Sequence, residues 1–447
     1  MIKVLKFGGT SVGSAANMRR VADIIVREGA SVTVLSAMSG TTDTLQRIAS
    51  FAAAGGCEEE IALLLAGLKR KYVRCAGELL SDGYADASAA VERTMERVAA
   101  EAAAYAGEVS QRTIIAQGEL LTTALFTLYM KERGCRAELL HAPAFMYGGE
   151  VRVDGGVLRQ SVADAARGVY YITQGFICTG PDGRLDNLGR GGSDYSAALI
   201  GAALGAGEVQ IWTDIDGMHN NDPRYVEGTF PIRRMNFDEA AELAYFGAKI
   251  LHPSTIQPCK DRGIPVLLKN SMAPDAPGTV ISDAEVGGHV YRAVAAKDGI
   301  TAVRIYSARM LMAYGFLRRV FEVFEKYRTP IDMITTSEVA VSLTVDSDCR
   351  LPEIIAELSE LGMVEVDTDN SIVCIVGRLD HAEHGRAREI MEAAGDVPLK
   401  MISYGASHRS IALLTDTRNR TRLLRNLNDK LFGKDAESGG KGAAQGV

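Results

Sequence analysis

The sequence predicts an α/β protein with one large layered domain followed by two smaller βαββαβ units, and three observations carry that prediction. Short β-branched apolar runs alternate with longer helical patterns over residues 1–283. A stretch rich in Pro, Gly, Asp and Ser follows at residues 271–288. Beyond it the pattern becomes strand, helix, strand, strand, helix, strand, and then begins again.

The first domain is expected over residues 1–284. Its strand candidates are residues 2–7, 31–36, 113–116, 169–173, 209–213 and 265–268, runs short enough and β-branched enough to be buried strands of a largely parallel sheet. Residues 58–106 depart from the alternation. They carry Ala, Glu, Leu and Arg at helical spacing, which predicts an all-helical lobe acting as a packed spacer or lid. After the boundary, residues 298–370 hold a first complete βαββαβ unit. Residues 371–433 hold a second copy one strand short, and residues 290–296 are the candidate for the missing strand. The tail 437–447, made mostly of Gly, Ala, Ser and Lys without an apolar pattern, predicts disorder.

Composition narrows the function. The 447 residues carry a formal net charge of -7 with no block of Lys and Arg, which leaves no nucleic-acid or membrane-surface patch. The seven cysteines are scattered and form no CxxC pair, so neither a disulfide framework nor a zinc knuckle is expected. His381 and His384 read as a solvated polar turn, and no protein-ligated metal is expected. Residues 1–7 read as a strand rather than a signal peptide, and no run of 18 apolar residues occurs, so the expected compartment is the cytoplasm.

Four segments carry chemistry. The first strand runs into Gly8 and Gly9, with Thr10 and Ser11 expected to cap the helix that follows. Bare glycine N–H groups beside a helix start suit a phosphate. Lys6, at the strand's end, reads as a surface-facing cation able to neutralise a phosphoryl group in transfer. In Gly189-Arg190-Gly191-Gly192-Ser193-Asp194, Arg190 offers a planar fork for a carboxylate, and Ser193 and Asp194 open an apolar helix. Trp212-Thr213-Asp214-Ile215-Asp216-Gly217 and Asn221-Asp222-Pro223-Arg224 follow a buried strand, where open α/β sheets bind ligands. Phe246-Gly247-Ala248-Lys249-Ile250-Leu251-His252-Pro253 sets a lysine at an apolar helix end. Each has a plainer reading as a turn, a cap or a snorkelling lysine. No GxxxxGK[ST] and no GxGxxG is present.

Lys6-Phe7-Gly8-Gly9-Thr10-Ser11, Ser36-Ala37-Met38-Ser39-Gly40-Thr41-Thr42-Asp43, Gln117-Gly118-Glu119-Leu120 and the three later segments resemble the aspartate kinases in order and spacing over residues 1–420. The resemblance implies an amino-acid kinase αβα sandwich, like that of carbamate kinase, followed by two ferredoxin-like ACT domains. It implies transfer of the ATP γ-phosphoryl group to the side-chain carboxylate of L-aspartate, with Mg2+ carried on the nucleotide. By it, Lys6, Gly8 and Gly9 meet the phosphoryl group, with Asp194 beside them. Thr42, Glu119, Arg190, Ser193 and Asp194 hold aspartate, and Thr213, Asp214, His219, Arg224 and Lys249 hold the nucleotide. His219 stands where many relatives carry tyrosine. Met310, Phe316, Leu317, Asp332, Ser337 and Glu338 fall where lysine-sensitive members bind lysine at an ACT dimer interface, and Ala313 replaces a serine found in some of them. A homodimer, possibly pairing to a tetramer, follows from the same resemblance. The alternatives are another kinase of that fold, acting on N-acetylglutamate or uridine monophosphate, and an idle amino-acid sensor.

Overall fold

The computed structural model describes residues 1–56, 58–189, 191–247, 251, 253–284, 290–310, 314–346, 350–380 and 384–433. Arg190, Lys249, Ala313, His381 and the tail 437–447 lie outside them. The chain divides into two compact units. The first holds Met1–Met218, Arg233–Phe237 and Leu251–Glu285, and the second holds His219–Ile232, Asp238–Ile250 and Val286–Val447.

The first unit is built on an eight-stranded sheet. Its order is Arg234–Met235, Thr279–Ile281, Val266–Asn270, Glu208–Thr213, Lys3–Phe7, Val32–Leu35, Tyr170–Gln174 and Ala137–Leu140. Every neighbouring pair is parallel except Val266–Asn270 with Thr279–Ile281. Central strands of such a sheet are covered on both faces, which is why Val4, Leu5 and Phe7 are all buried despite alternating in direction. The helices Ala15–Glu28, Thr41–Ala53, Glu58–Leu79, Tyr84–Ala103 and Glu108–Glu132 contribute buried faces to one apolar core with this strand.

Two local expectations are corrected. Residues 113–116 are not a strand but part of the helix Glu108–Glu132, whose Ile114, Ile115 and Ala116 are buried. A four-residue β-branched run cannot by itself be told from a buried helical segment. The first helix is capped by Ser14, whose side chain accepts from the Asn17 N–H, rather than by Thr10 or Ser11, because the chain makes a further turn before it starts to coil.

The second unit carries a six-stranded antiparallel sheet in the order Ile334–Thr336, Ala340–Val345, Tyr291–Tyr306, Met363–Gly377, Ser410–Asp416, Met401–Ser403. Two long strands run through its middle. Tyr291–Tyr306 pairs with Met363–Gly377 along both, with register shifts around residues 297–302. One end packs the helices Phe316–Lys326 and Leu351–Ser359, and the other packs Arg386–Ala394 and Arg420–Leu431, giving two separate apolar cores. Of the cysteines, Cys75, Cys135, Cys178, Cys259 and Cys374 are free thiols.

Candidate active site

The carboxyl ends of Lys3–Phe7, Glu208–Thr213 and Val266–Asn270 lie side by side in register, Lys6 opposite Ile211 and Lys269 opposite Trp212. Ligand chemistry in open α/β sheets collects at these ends. The Ser11 and Ser271 hydroxyls meet at 2.7 Å, and Ser271 donates to the Thr213 carbonyl at 2.9 Å, tying the loops together.

Lys6 is not surface-facing, as its place in the motif suggests, but only 8% exposed. Its Nζ sits 2.6 Å from Asp194 Oδ1. The two groups form a close, largely buried ion pair. Asp194 is in the first turn of the helix Gly192–Leu204. Gly191, in the left-handed region at φ 72, precedes that helix without any side-chain cap, so Ser193 and Asp194 are helical residues and not the cap.

Glycine is required at Gly9, where an added Cβ would stand 2.8 Å from the Ala37 carbonyl oxygen. At Gly8 an added Cβ would sit 3.8 Å from the Lys6 ammonium, so the bare residue leaves one flank of that cation open. This strand end, with a buried ammonium and backbone free of side chains, fits a phosphoryl group by charge and by space.

Glu119 is 3% exposed and lies in the helix Glu108–Glu132. Its Oε1 accepts from the Ala37 N–H at 3.2 Å, and its Oε2 has no partner among the described residues. Burial pushes its carboxyl up to about 7, and the Ala37 bond only partly offsets that. Thr122, one turn on, accepts from the Met38 N–H at 3.1 Å. The loop leading to Thr42 is thus held from one side by this helix.

Thr213 Oγ1 accepts from the Ile215 N–H at 3.1 Å in a local turn, and Asp214 is exposed beside it. His219 and Arg224 belong to the second unit. Arg224 grips Asp222, Nη2 to Oδ2 at 2.6 Å, which holds the Asp222 carboxyl below its ordinary range against the upward pull of burial. Among the candidate effector residues, Phe316 is 2% exposed and belongs to an apolar core, with Met310 packed against it, while Leu317, Ser337 and Glu338 are exposed. The Asp332 carboxylate takes the Tyr245 hydroxyl at 2.6 Å and the Lys297 ammonium at 2.9 Å.

Residues 1–270 match the amino acid kinase family. Over 456 residues the chain is 34% identical to the lysine-sensitive aspartokinase 3 of Escherichia coli, covering 96% of this chain and 99% of that protein. The chain belongs to the aspartokinases. Chloroplastic aspartokinase 1 of Arabidopsis thaliana is 34% identical over 448 residues, 92% of this chain and 77% of that one. The crystal structure of E. coli aspartokinase III with aspartate and ADP, in its R-state, superposes with a TM-score of 0.83 at 32% identity, covering 97% of this chain and all of that one. The T-state of the same enzyme with lysine and aspartate gives 0.81 at 33% identity, covering 96% and 99%. The architecture is therefore that of an aspartokinase, an amino acid kinase domain followed by ACT-type regulatory units. Two further residues lie against these segments without belonging to any of the motifs. Phe176, a non-glycine residue at φ 69, packs against Gly192, and Lys71 reaches the loop before Thr42 from the helical lobe. Only the positive φ, invisible in sequence, would have marked the first.

Proposed function

We infer that this chain transfers the γ-phosphoryl group of ATP to the side-chain carboxylate of L-aspartate, giving 4-phospho-L-aspartate and ADP, the first step of the aspartate-family amino-acid pathway. The carrying observation is the buried Lys6–Asp194 pair beside the bare Gly8-Gly9 backbone. The bond from the γ-phosphorus to the β,γ-bridging oxygen breaks, a bond to the carboxylate oxygen forms, and ADP leaves with the electron pair. A side-chain carboxylate with a pKa near ~4 is already ionised at neutral pH, so no general base is needed. The obstacle is repulsion between two anions. Lys6 stabilises the charge on the group in transfer, and Asp194 holds the ammonium in place.

Thr42, Glu119, Arg190, Ser193 and Asp194 hold aspartate in this reading. The unpaired Glu119 oxygen suits the substrate's α-ammonium, and Arg190 its α-carboxylate. Thr213, Asp214, His219, Arg224 and Lys249 serve the nucleotide, and Mg2+ rides on its phosphates. Among the described residues no group of three or more His, Cys, Asp or Glu side chains could hold a metal. Nor is any described helix long and apolar enough to cross a membrane.

Lysine is the proposed effector, bound by Met310, Phe316, Leu317, Asp332, Ser337 and Glu338. A dimer through the first ACT-type unit is supported by its outer strand Ile334–Thr336, exposed along its length, with Val339 46% exposed beside it. Such an edge offers unpaired backbone groups to a second copy, and light scattering on the purified chain tests it. The activity is tested by ADP release with ATP, Mg2+ and L-aspartate, against glutamate and N-acetylglutamate. Aspartate alone should support turnover, and Lys6→Met should lower it at least about 100-fold, the range for removing one charge-stabilising donor.

A further inference from the structure

The helical lobe, Glu58–Leu79 and Tyr84–Ala103, reads from sequence as a packed spacer or lid, yet one of its side chains reaches the substrate side of the proposed site. Lys71, half-buried, donates from Nζ to the Ser39 carbonyl and, at 3.1 Å, to Thr41 Oγ1. Its neighbour Tyr72, fully buried, places its hydroxyl 3.3 Å from Thr41 Oγ1, 3.1 Å from Thr122 Oγ1 and 3.4 Å from the Gly118 carbonyl. Both acceptors of Lys71 are neutral, and no carboxylate among the described residues lies within ion-pair distance of it. Burial accordingly draws the ammonium below its usual range. Keeping a cation part-buried on two neutral oxygens costs stability, because desolvation is not offset by a counter-charge.

What those two bonds hold is the turn Ser39-Gly40-Thr41, from which Thr42 projects. The same short segment is gripped at Ala37 by Glu119 and at Met38 by Thr122. Gly118 leaves no slack, since an added Cβ there would stand 2.8 Å from Ala37 Cβ and 3.2 Å from Thr41 Cγ2. Residues 37–42 are therefore clamped between the helix carrying Glu119 and the helix carrying Lys71. We propose that Lys71 is a positioning residue for the amino-acid substrate, fixing the Ser39–Thr42 turn so that the Thr42 hydroxyl and the Glu119 carboxylate present one rigid aspartate-binding edge. It acts through the turn and has no part in handling the nucleotide. The proposal rests on the aspartate-kinase reading above.

The test is steady-state kinetics on the full chain with each substrate varied in turn. Lys71→Met should raise KM for aspartate by about tenfold, leave KM for ATP within twofold and change kcat by less than threefold. Lys71→Arg, which keeps a cationic donor, should recover most of that loss. Lys69→Met, on the same helix and paired instead with Glu92, should behave as the parent. An unchanged KM for aspartate in Lys71→Met, or an equal rise in both KM values with a lowered melting temperature, overturns the proposal while the parent's activity stands. A parent that releases no ADP with aspartate overturns the functional reading, and the proposal with it.

Discussion

Glu119 turns burial into a pH dependence. Its carboxyl titrates at about 7 in the folded chain, against about 4.3 for an exposed glutamate, so between those values the folded state binds a proton that the unfolded state has lost. The associated stability is fully present below about 4.3 and is lost as pH rises through 7. Above that, the substrate-free protein bears the cost of a buried charge, on the order of 3 kcal/mol. Glu119→Gln should therefore melt higher than the parent at pH 8 and alike at pH 4, as calorimetry without substrate would read. Equal melting at both would show that the charge is not buried in solution. In the proposed role of Glu119 as the group that meets the substrate's α-ammonium, only its ionised form serves, so KM for aspartate in the parent should rise by up to tenfold per pH unit below 7. A flat profile between pH 6 and 8 would remove Glu119 from amino-group binding. Lys6 differs, being paired. Taking away its ammonium leaves Asp194 buried and unmatched, at a cost of about 3–5 kcal/mol. Lys6→Met should thus lose both turnover and several degrees of melting temperature, and Asp194→Asn added to it should restore part of the stability but none of the rate. A double variant no more stable than the single one would mean that the pair is not buried.

At the scale of elements, the helix Arg420–Leu431 does more than close the second regulatory core. Asn428 Oδ1 accepts from the side-chain amides of Asn220 at 3.1 Å and Asn221 at 3.5 Å, and the Leu424 carbonyl accepts from Asn221 at 3.2 Å. Arg425 donates to the Tyr225 carbonyl, and the Arg420 guanidinium lies 4.0 Å from the Tyr225 ring centre. The segment that carries His219 and Arg224 is thus built onto this helix. Replacing Asn428 by Leu strips buried amides of their acceptor, worth about 1–3 kcal/mol. We expect it to raise KM for ATP several-fold while leaving KM for aspartate alone. A rise in the aspartate value instead would detach this helix from nucleotide binding. None of these contacts could be read from sequence, since Asn220 and Asn428 lie 208 positions apart. Legible features were the local ones, such as a strand entering Gly8-Gly9 with a lysine just before it. The motif could not show that Lys6 is buried and paired, because its partner Asp194 lies far along the chain. Residues 113–116 misled for the converse reason, as β-branched residues inside a long buried helix look like a strand when only their neighbours are seen. The reach of Lys71 across to Thr41 was equally hidden, whereas the repeat of two regulatory units showed in element order alone.

For the whole molecule, the question is how an amino acid bound to an ACT-type unit could alter a kinase. An effector shifts an equilibrium only by binding one arrangement better than another. Within the second unit, Asp332 supplies a candidate for that difference. Its carboxylate is 1% exposed, and one oxygen carries both the Lys297 ammonium and the Tyr245 hydroxyl, while the other has no partner among the described residues. Burial works against the charge on Lys297, yet Asp332 and Asp346 together hold its pKa above the ordinary value. Tyr245 ends the helix Phe237–Tyr245, which leads into the segment bearing Lys249. If the effector's ammonium takes the free oxygen of Asp332, it competes for the same charge that holds Tyr245. Deleting that hydroxyl removes a hydrogen bond to a charged group, worth about 1.5 kcal/mol, and so tilts the protein toward the effector-bound arrangement. In Tyr245→Phe, half-maximal inhibition by lysine should therefore come at roughly a tenfold lower concentration, with KM for aspartate measured without lysine unchanged. A lysine titration of parent and variant decides the matter: coincident curves would exclude Tyr245 from the coupling, and a shift to higher lysine would mean that the bond belongs to the inhibited arrangement.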